Sequence, residues 1–414
     1  MASKSTKSAR SLKPYSGFPL TPHRAAKQWC KKHRGQTYYF GGMTDWQAAL
    51  NRYEREWPYI IQGKTPPALP DDQDACSFRA LCNLFLQSKR NKVDAGELTE
   101  LSYRDYYASC KRLISHFGPR RRVDDLRPVD FEAYRAKLAK RYSIGTLLGE
   151  VNRCRVAFKF AWDQRLIQQP VHFGQSFDRP TKRIRRKARN EAGPLMFARD
   201  EIRLVLDALK GKPVRVDGEQ VMLKANPQLR AMALLGLNGA LGATDCACLR
   251  EHHIDFTTGW MSYPRVKTET PRRIPLWNET LEALKEVLAI RRPPRTSADD
   301  GIIFLTRTRR RWVRTTFGAT PEKNVQINSI SEAFRKLLRT LNINGRVGLN
   351  FYTLRRQFEI VAGDSRDQVA VNAIMGHVDD SMAAVYRQNQ ISDDRLRDVV
   401  QHVHNWLFGE SNQK

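Results

Sequence analysis

From Cys76 to Arg165, apolar residues return every three or four positions through four successive segments. "SFRALCNLFLQSKR" and "RDYYASCKRLISHFG" come first, and "RPVDFEAYRAKLAKRY" and "LLGEVNRCRVAFKFAWDQRLI" come after them. That period lays one apolar stripe along each helix, and four such helices bury their stripes by packing on one another. The pattern predicts a helical unit over residues 75–175. Its polar positions are mostly Lys and Arg, so the outer face of the bundle is cationic.

The same bias runs through the chain. Among 414 residues, 71 are Lys or Arg and 43 are Asp or Glu, a formal net charge of +28. A folded surface this basic implies a polyanion partner, because each cation set on a phosphate releases a condensed counterion. Nucleic acid is the leading candidate. A membrane surface is weaker, since there is no clear basic amphipathic helix with an aromatic face, and no apolar run approaches the roughly 18 residues that span a bilayer. The start, "MASKSTKSARSLKPYSG", lacks the apolar stretch of a secretory signal and is expected to be a disordered arm over residues 1–17. A cytoplasmic, nucleoid-associated protein is the corresponding expectation.

Before the helices, residues 18–62 read as a three-stranded sheet with one helix from about Trp46. Turns are expected at "HRG" and "GGMTD". Lys31, Lys32, His33 and Arg34 beside Tyr38 and Tyr39 would suit a β-ribbon laid on DNA; a small packing module is the other reading. "GKTPPALPDDQD" is a Pro-rich linker. After the helices, residues 176–195 carry "DRPTKRIRRKARN", with Lys182, Arg183, Arg185, Arg186, Lys187 and Arg189. Because this run joins two folded regions, it reads as a linker crossing a phosphate backbone.

Residues 196–408 mix types. Helices are expected from "ARDEIRLVLDAL" and from two segments of "PQLRAMALLGLNGALGATDCACLREHHIDF". A β-hairpin runs from Trp260 to Lys267 and back from Arg272 to Leu276. "GIIFLT" reads as a short strand, and the remainder of the region as largely helical. Arg309, Arg310 and Arg311, within "RTRRRWVR", are expected to touch the DNA backbone. The fold class is mainly α with small β elements, an α+β arrangement. Seven scattered cysteines fit free thiols in a reducing compartment. "CACLREHH" holds two of them, but positions 246 and 248 of one helix point in different directions, and no metal or other cofactor is expected.

Four separated segments carry the chemistry. "RVKTETPRRIPL" puts Lys267 at a hairpin tip. "NFYTLRRQF" puts Tyr352 and Arg355 three apart on one helix face. "IMGHVDDS" gives His377 after a glycine turn, and "AAVYRQ" gives Tyr386 nine residues later. In this order the segments resemble the catalytic domain of the tyrosine recombinase, or phage integrase, family over about residues 197–405. The upstream helices resemble its core-binding domain and the N-terminal sheet its arm-binding domain. With W-x-K-K and "YYFG" near the start and "DQVA", "IMGH", "VYR" and "ISDDRLR" near the end, the whole chain is most similar to integrase-like proteins from planctomycete bacteria.

The resemblance implies DNA strand cleavage by a tyrosine oxygen, giving a 3′-phosphotyrosyl bond and a free 5′ hydroxyl. It implies Tyr386 as nucleophile, Arg355 as phosphate clamp, Lys267 as general acid and His377 as phosphate donor. It also implies a tetramer on paired sites and an origin in a mobile element. The helix "ISDDRLRDVVQHVHNWLF" is expected to pack in cis or on a neighbouring subunit. Two positions depart from the family. Tyr352 stands where histidine is common, and its hydroxyl still donates a hydrogen bond. The first family arginine falls on Gly242, three before Asp245, and Arg250 and Arg265 are the candidates to replace it. That loss keeps a second reading open, a DNA-binding repressor or architectural factor that no longer cuts. A DNA-relaxing topoisomerase is a third.

Overall fold

A computed structural model describes residues 13–63, 76–191, 193, 195–343, 346, 348–378 and 391–409 of the chain. The expected N-terminal arm and the Pro-rich linker therefore lie largely outside the described residues, and Tyr386 lies wholly outside them.

The first element is a small antiparallel sheet, β1 (Thr21–His23), β2 (Gln28–His33) and β3 (Gln36–Gly42), backed by helix α1 (Trp46–Ile61). A two-residue turn joins β2 to β3, with Arg34 at φ 48° and Gly35 at φ 82°. Both angles suit the tight hairpin turn whose twist matches the strands. Phe18, Leu20, Trp29 and Phe40 fill the space between sheet and helix. Lys31 was expected to be exposed, but its Nζ donates to Tyr53 Oη at 2.7 Å and lies over the Tyr53 and Trp57 rings of α1. Lys32 and Arg34 remain exposed.

Four helices come next: α2 (Phe78–Asp94), α3 (Glu100–Phe117), α4 (Pro128–Arg141) and α5 (Ile144–Asp163). Ser77, Thr99 and Ser143 cap three of them, each hydroxyl accepting a backbone N–H in the first turn. Phe78 stacks on Phe117 at 4.8 Å within an aromatic core that includes Phe131, Tyr134 and Phe158. Beside it, Glu150 is 1% exposed and binds Ser109, Arg112 and Arg153. Then comes α6 (Lys182–Glu191), so the basic run between the two regions is helical. Thr181 accepts from the Ile184 N–H at its start, and Lys182, Arg183, Arg185, Arg186, Lys187 and Arg189 are all exposed.

The last region builds a larger core around α8. In order it comprises α7 (Arg199–Leu209), β4 (Pro213–Val216), β5 (Glu219–Met222), α8 (Pro227–Gly239) and α9 (Ala243–Cys248). Then come β6 (Ile254–Asp255), β7 (Trp260–Ser262), β8 (Arg273–Pro275), α10 (Asn278–Ile290), β9 (Val313–Thr316) and β10 (Val325–Asn328). It closes with α11 (Ser329–Thr340), α12 (Tyr352–Gly363), α13 (Gln368–Met375) and α14 (Asp393–Phe408). From Ala231 to Gly239 every residue of α8 is buried, so this helix is wrapped on all sides. Gly236 and Gly239 allow that: a Cβ at either would sit 3.1 Å from Leu354 or Ile274.

Asn238 is the polar exception in α8, fully buried. Its Nδ2 donates to Pro275 O and its Oδ1 accepts from Trp277 N, both at 2.9 Å, which pins α8 to the end of β8. Asn238→Ala strands both backbone groups, so chemical denaturation is expected to show a loss of about 1–3 kcal/mol.

Two local expectations change, and one element was not anticipated. β4 and β5 form a hairpin around Asp217 and Gly218, both at positive φ. "GIIFLT" is no strand: Ile302 and Leu305 make isolated bridges to Arg250 and Arg311, and the run is simply buried. β9 and β10 pair where helix was expected, and the turn between them meets α3. There Lys111 pairs with Glu322 at 2.9 Å, and Arg104 donates to Asn324 O at 3.3 Å. Helix α14 packs in cis, with Leu396, Val399, Val400, Val403 and Leu407 buried. No described helix is long and apolar enough to cross a membrane.

Candidate active site and nucleic-acid interface

Arg355 lies one turn into α12 and is 2% exposed. Its Nη1 donates to Ala240 O at 2.6 Å and its Nη2 to Met375 O at 2.8 Å. Both acceptors are carbonyls at helix ends, where the intrahelical donors have run out. Ala240 takes the left-handed conformation at φ 56°, unusual for a residue with a Cβ, as it closes α8. Burial, and then the charge of Arg265, hold the Arg355 guanidinium below its ordinary pKa.

His377 comes directly after Gly376, which closes α13 at φ 64°. Its Nε2 lies 3.4 Å from Arg355 Nη2 and its Nδ1 3.3 Å from Asn372 Oδ1. A guanidinium only donates, so Nε2 accepts and the ring proton sits on Nδ1, facing Asn372. Burial first, and then Arg355, push the His377 pKa down, which keeps the ring neutral at neutral pH.

The β7–β8 hairpin is shorter than expected; its strands end at Ser262 and Arg273. The loop beyond folds back on itself, with Thr268 N and Glu269 N donating to Arg265 O. Lys267 stands exposed in that turn. The turn is tied to the histidine segment: Arg265 Nη1 and Thr268 Oγ1 both donate to Gly376 O, at 3.2 and 3.4 Å. Tyr352, at the start of α12, is 46% exposed.

Gly242 caps α9, its N–H donating to Asp245 Oδ2 at 2.9 Å. A Cβ there would lie 3.4 Å from that oxygen and 3.9 Å from the Tyr352 ring, its nearest neighbours, both ordinary contacts. Arg250 is turned away, donating to the carbonyls of Asp300 and Ala298. Arg272 was not singled out in the sequence, yet its side chain is entirely buried and faces Asp245 Oδ1 at 3.4 Å. In a chain so rich in arginine, nothing local marks one as buried. Lys267, Tyr352, Arg355 and His377 thus come from three segments that meet around Gly376 and Arg355. Tyr386 falls between Val378 and Ile391, outside the described residues.

Among the described residues, no group of three or more His, Cys, Asp or Glu is placed to hold a metal. In "CACLREHH", Cys246 is core, Cys248 meets Arg311 and His253 Nδ1 accepts from Arg250 N. Of the basic run at 309–311, Arg309 and Arg310 are exposed, whereas Arg311 turns inward to pair with Asp299 at 2.5 Å.

Residues 216–392 match the phage integrase family. Over that stretch the chain is similar to the tyrosine recombinases, and it has their α+β fold. The structure is similar to that of the Tn1549 transposon integrase in complex with a circular intermediate DNA. The two share 14% identity over 78% of this chain and 99% of that one, with a TM-score of 0.54. It is likewise similar to a lambda integrase tetramer bound to a Holliday junction, at 14% identity, 89% and 95% coverage and a TM-score of 0.53. No curated protein sequence matches the chain.

Proposed function

We propose that this protein cuts and rejoins duplex DNA through a 3′-phosphotyrosyl intermediate, as the integrase of a mobile element acting as a tetramer on paired sites. The observation that carries the reading is the meeting of Arg355, His377 and the Lys267 turn around Gly376. A store of buried positive charge at the mouth of a basic protein suits a phosphate whose negative charge grows during displacement.

In the proposed step, the Tyr386 oxygen attacks the scissile phosphorus in line and loses its proton. The phosphorus–5′-oxygen bond breaks, and Lys267 gives the departing oxygen a proton. Arg355 holds a non-bridging oxygen. A phosphate arriving beside His377 favours a proton on Nε2, so the ring changes from acceptor to donor as substrate binds. Tyr352 offers its hydroxyl at the rim. The phosphotyrosyl bond conserves the energy of the broken link, and a 5′ hydroxyl attacking it restores the strand. The helical unit and the catalytic half take opposite faces of the duplex, and the N-terminal sheet, through Lys32 and Arg34, adds a second contact.

Along the duplex, α6 supplies the densest backbone contact, with Arg309 and Arg310 beyond it. Replacing Lys182, Arg183, Arg185 and Arg186 together with alanine is expected to weaken binding alike on all sequences. The slope of log affinity against log salt should fall by about 0.9 for each phosphate that the variant no longer neutralises. A slope equal to that of the wild type would place α6 off the DNA.

A second reading, a DNA-binding factor that no longer cuts, draws on Gly242, where the family's first arginine is missing. The test is incubation with nicked duplex, then denaturation and electrophoresis. A covalent adduct establishes cleavage; bound DNA without adduct favours the second reading.

A further inference from the structure

Three guanidinium groups surround the turn at Gly376. Arg355 holds Met375 O, and Arg265 holds Gly376 O at 3.2 Å. The aliphatic stem of Arg272 lies against the glycine itself: a Cβ on Gly376 would sit 2.8 Å from Arg272 Cδ and 3.0 Å from Arg265 Cβ. Among the described residues, the only salt bridge to any of the three is Asp245 with Arg272. Asp245 also caps the Gly242 N–H. Arg272 Nη1, inside a wholly buried side chain, has no hydrogen-bond partner among the described residues. Burial and mutual repulsion hold both Arg355 and Arg272 below the usual guanidinium pKa. Guanidinium groups stay charged regardless, so this cluster carries uncompensated positive charge, a disposition that an anion relieves.

Each of the three has a different access. Arg355 gives one N–H to each of two carbonyls and keeps others for a phosphate, and Arg272 is enclosed. Arg265 is half-buried, and its other guanidinium N–H groups have no partner among the described residues. It stands two residues before Lys267, on the loop that reaches the His377 turn. Arg250, the other candidate, spends its guanidinium on Asp300 and Ala298.

We propose that Arg265 is the second phosphate-binding guanidinium of this site, contacting the scissile DNA phosphodiester in place of the side chain that Gly242 lacks. Arg272 is its positioning residue, filling the space between Asp245 and Gly376 so that Arg265 is held outward. The charge that other family members place at the start of α9 is here delivered from the β7–β8 hairpin. This inference rests on the strand-cleaving function proposed for the same site.

The test uses the full chain with nicked duplexes selected from a random library by binding to it. The cleaved position is mapped from the wild-type adduct and then rebuilt with a neutral methylphosphonate. Adduct formation by Arg265→Ala on the ordinary phosphate is expected to be about 10²–10³-fold slower, the cost of one preorganised donor. Arg265→Lys should recover part of the loss, and Arg250→Ala should keep the wild-type rate. On the methylphosphonate most of the Arg265→Ala deficit should vanish, because the charge that Arg265 answers is gone. A merely structural role would leave the deficit equal on both substrates, and that result overturns the proposal, as does an Arg265→Ala rate equal to wild type. Absence of adduct from the wild-type protein on DNA it binds overturns the cleavage reading itself, and this inference with it.

Discussion

The Tyr386→Phe protein is expected to form no covalent adduct with DNA that it still binds. Phenylalanine keeps the ring and removes only the oxygen that would bond to phosphorus, so the chemical step has no nucleophile while the phosphate contacts stay in place. Affinity is carried by many cationic contacts spread over the surface, and a single hydroxyl is a minor share of it. Duplex binding and adduct formation should therefore separate completely. The check is a mobility shift beside a denaturing gel of the same reactions. An adduct that persists in Tyr386→Phe would mean that another side chain attacks, and the assignment of Tyr386 would fall.

Arg355→Ala is expected to fail on two counts. Removing one preorganised cationic donor costs cleavage about 10²–10³-fold. The same change strands the carbonyls of Ala240 and Met375, each buried acceptor costing about 1–3 kcal/mol. Arg355→Lys separates the two effects. It keeps the charge, but an ammonium on a single stem cannot span both carbonyls as a planar guanidinium does. Lysine should therefore recover some rate while stability stays low. Denaturant midpoints and adduct rates measured together decide the matter. A variant that loses stability but cuts at the wild-type rate would make Arg355 a brace rather than a clamp.

The four helices of the middle region were legible because each turns a single apolar stripe inward, and capping serines and threonines mark where three of them start. The order of Lys267, Arg355, His377 and Tyr386 was legible as a family pattern; Arg355 and His377 do meet, and the turn that carries Lys267 is tied to Gly376 beside them. The features that stayed hidden did so for physical reasons. "GIIFLT" is buried throughout, and a continuous apolar run has no period to tell strand from other buried segments. The β4–β5 hairpin carried an Asp-Gly turn signal between two short runs, but four-residue strands leave little alternation to read. Charge misled most. Lys31 and Arg311 sit in basic runs that read as solvent faces, yet one packs on Tyr53 and Trp57 and the other pairs with Asp299. Arg272 is the extreme case: it is buried against Tyr263, Asp245 and Gly376, the last more than a hundred residues later in the chain.

The contact between α3 and the β9–β10 turn bears on how the proposed DNA partner would enter and leave. Lys111 and Glu322 are 65% and 36% exposed, and such pairs contribute about 0–1 kcal/mol and weaken further in salt. Each of the two cores it bridges is closed instead by aromatic and aliphatic packing that salt does not loosen. The seam is therefore far more fragile than the bodies it joins. If the protein binds duplex DNA as proposed, phosphates would supply closing force that this seam does not, and the unliganded seam would cost little to open.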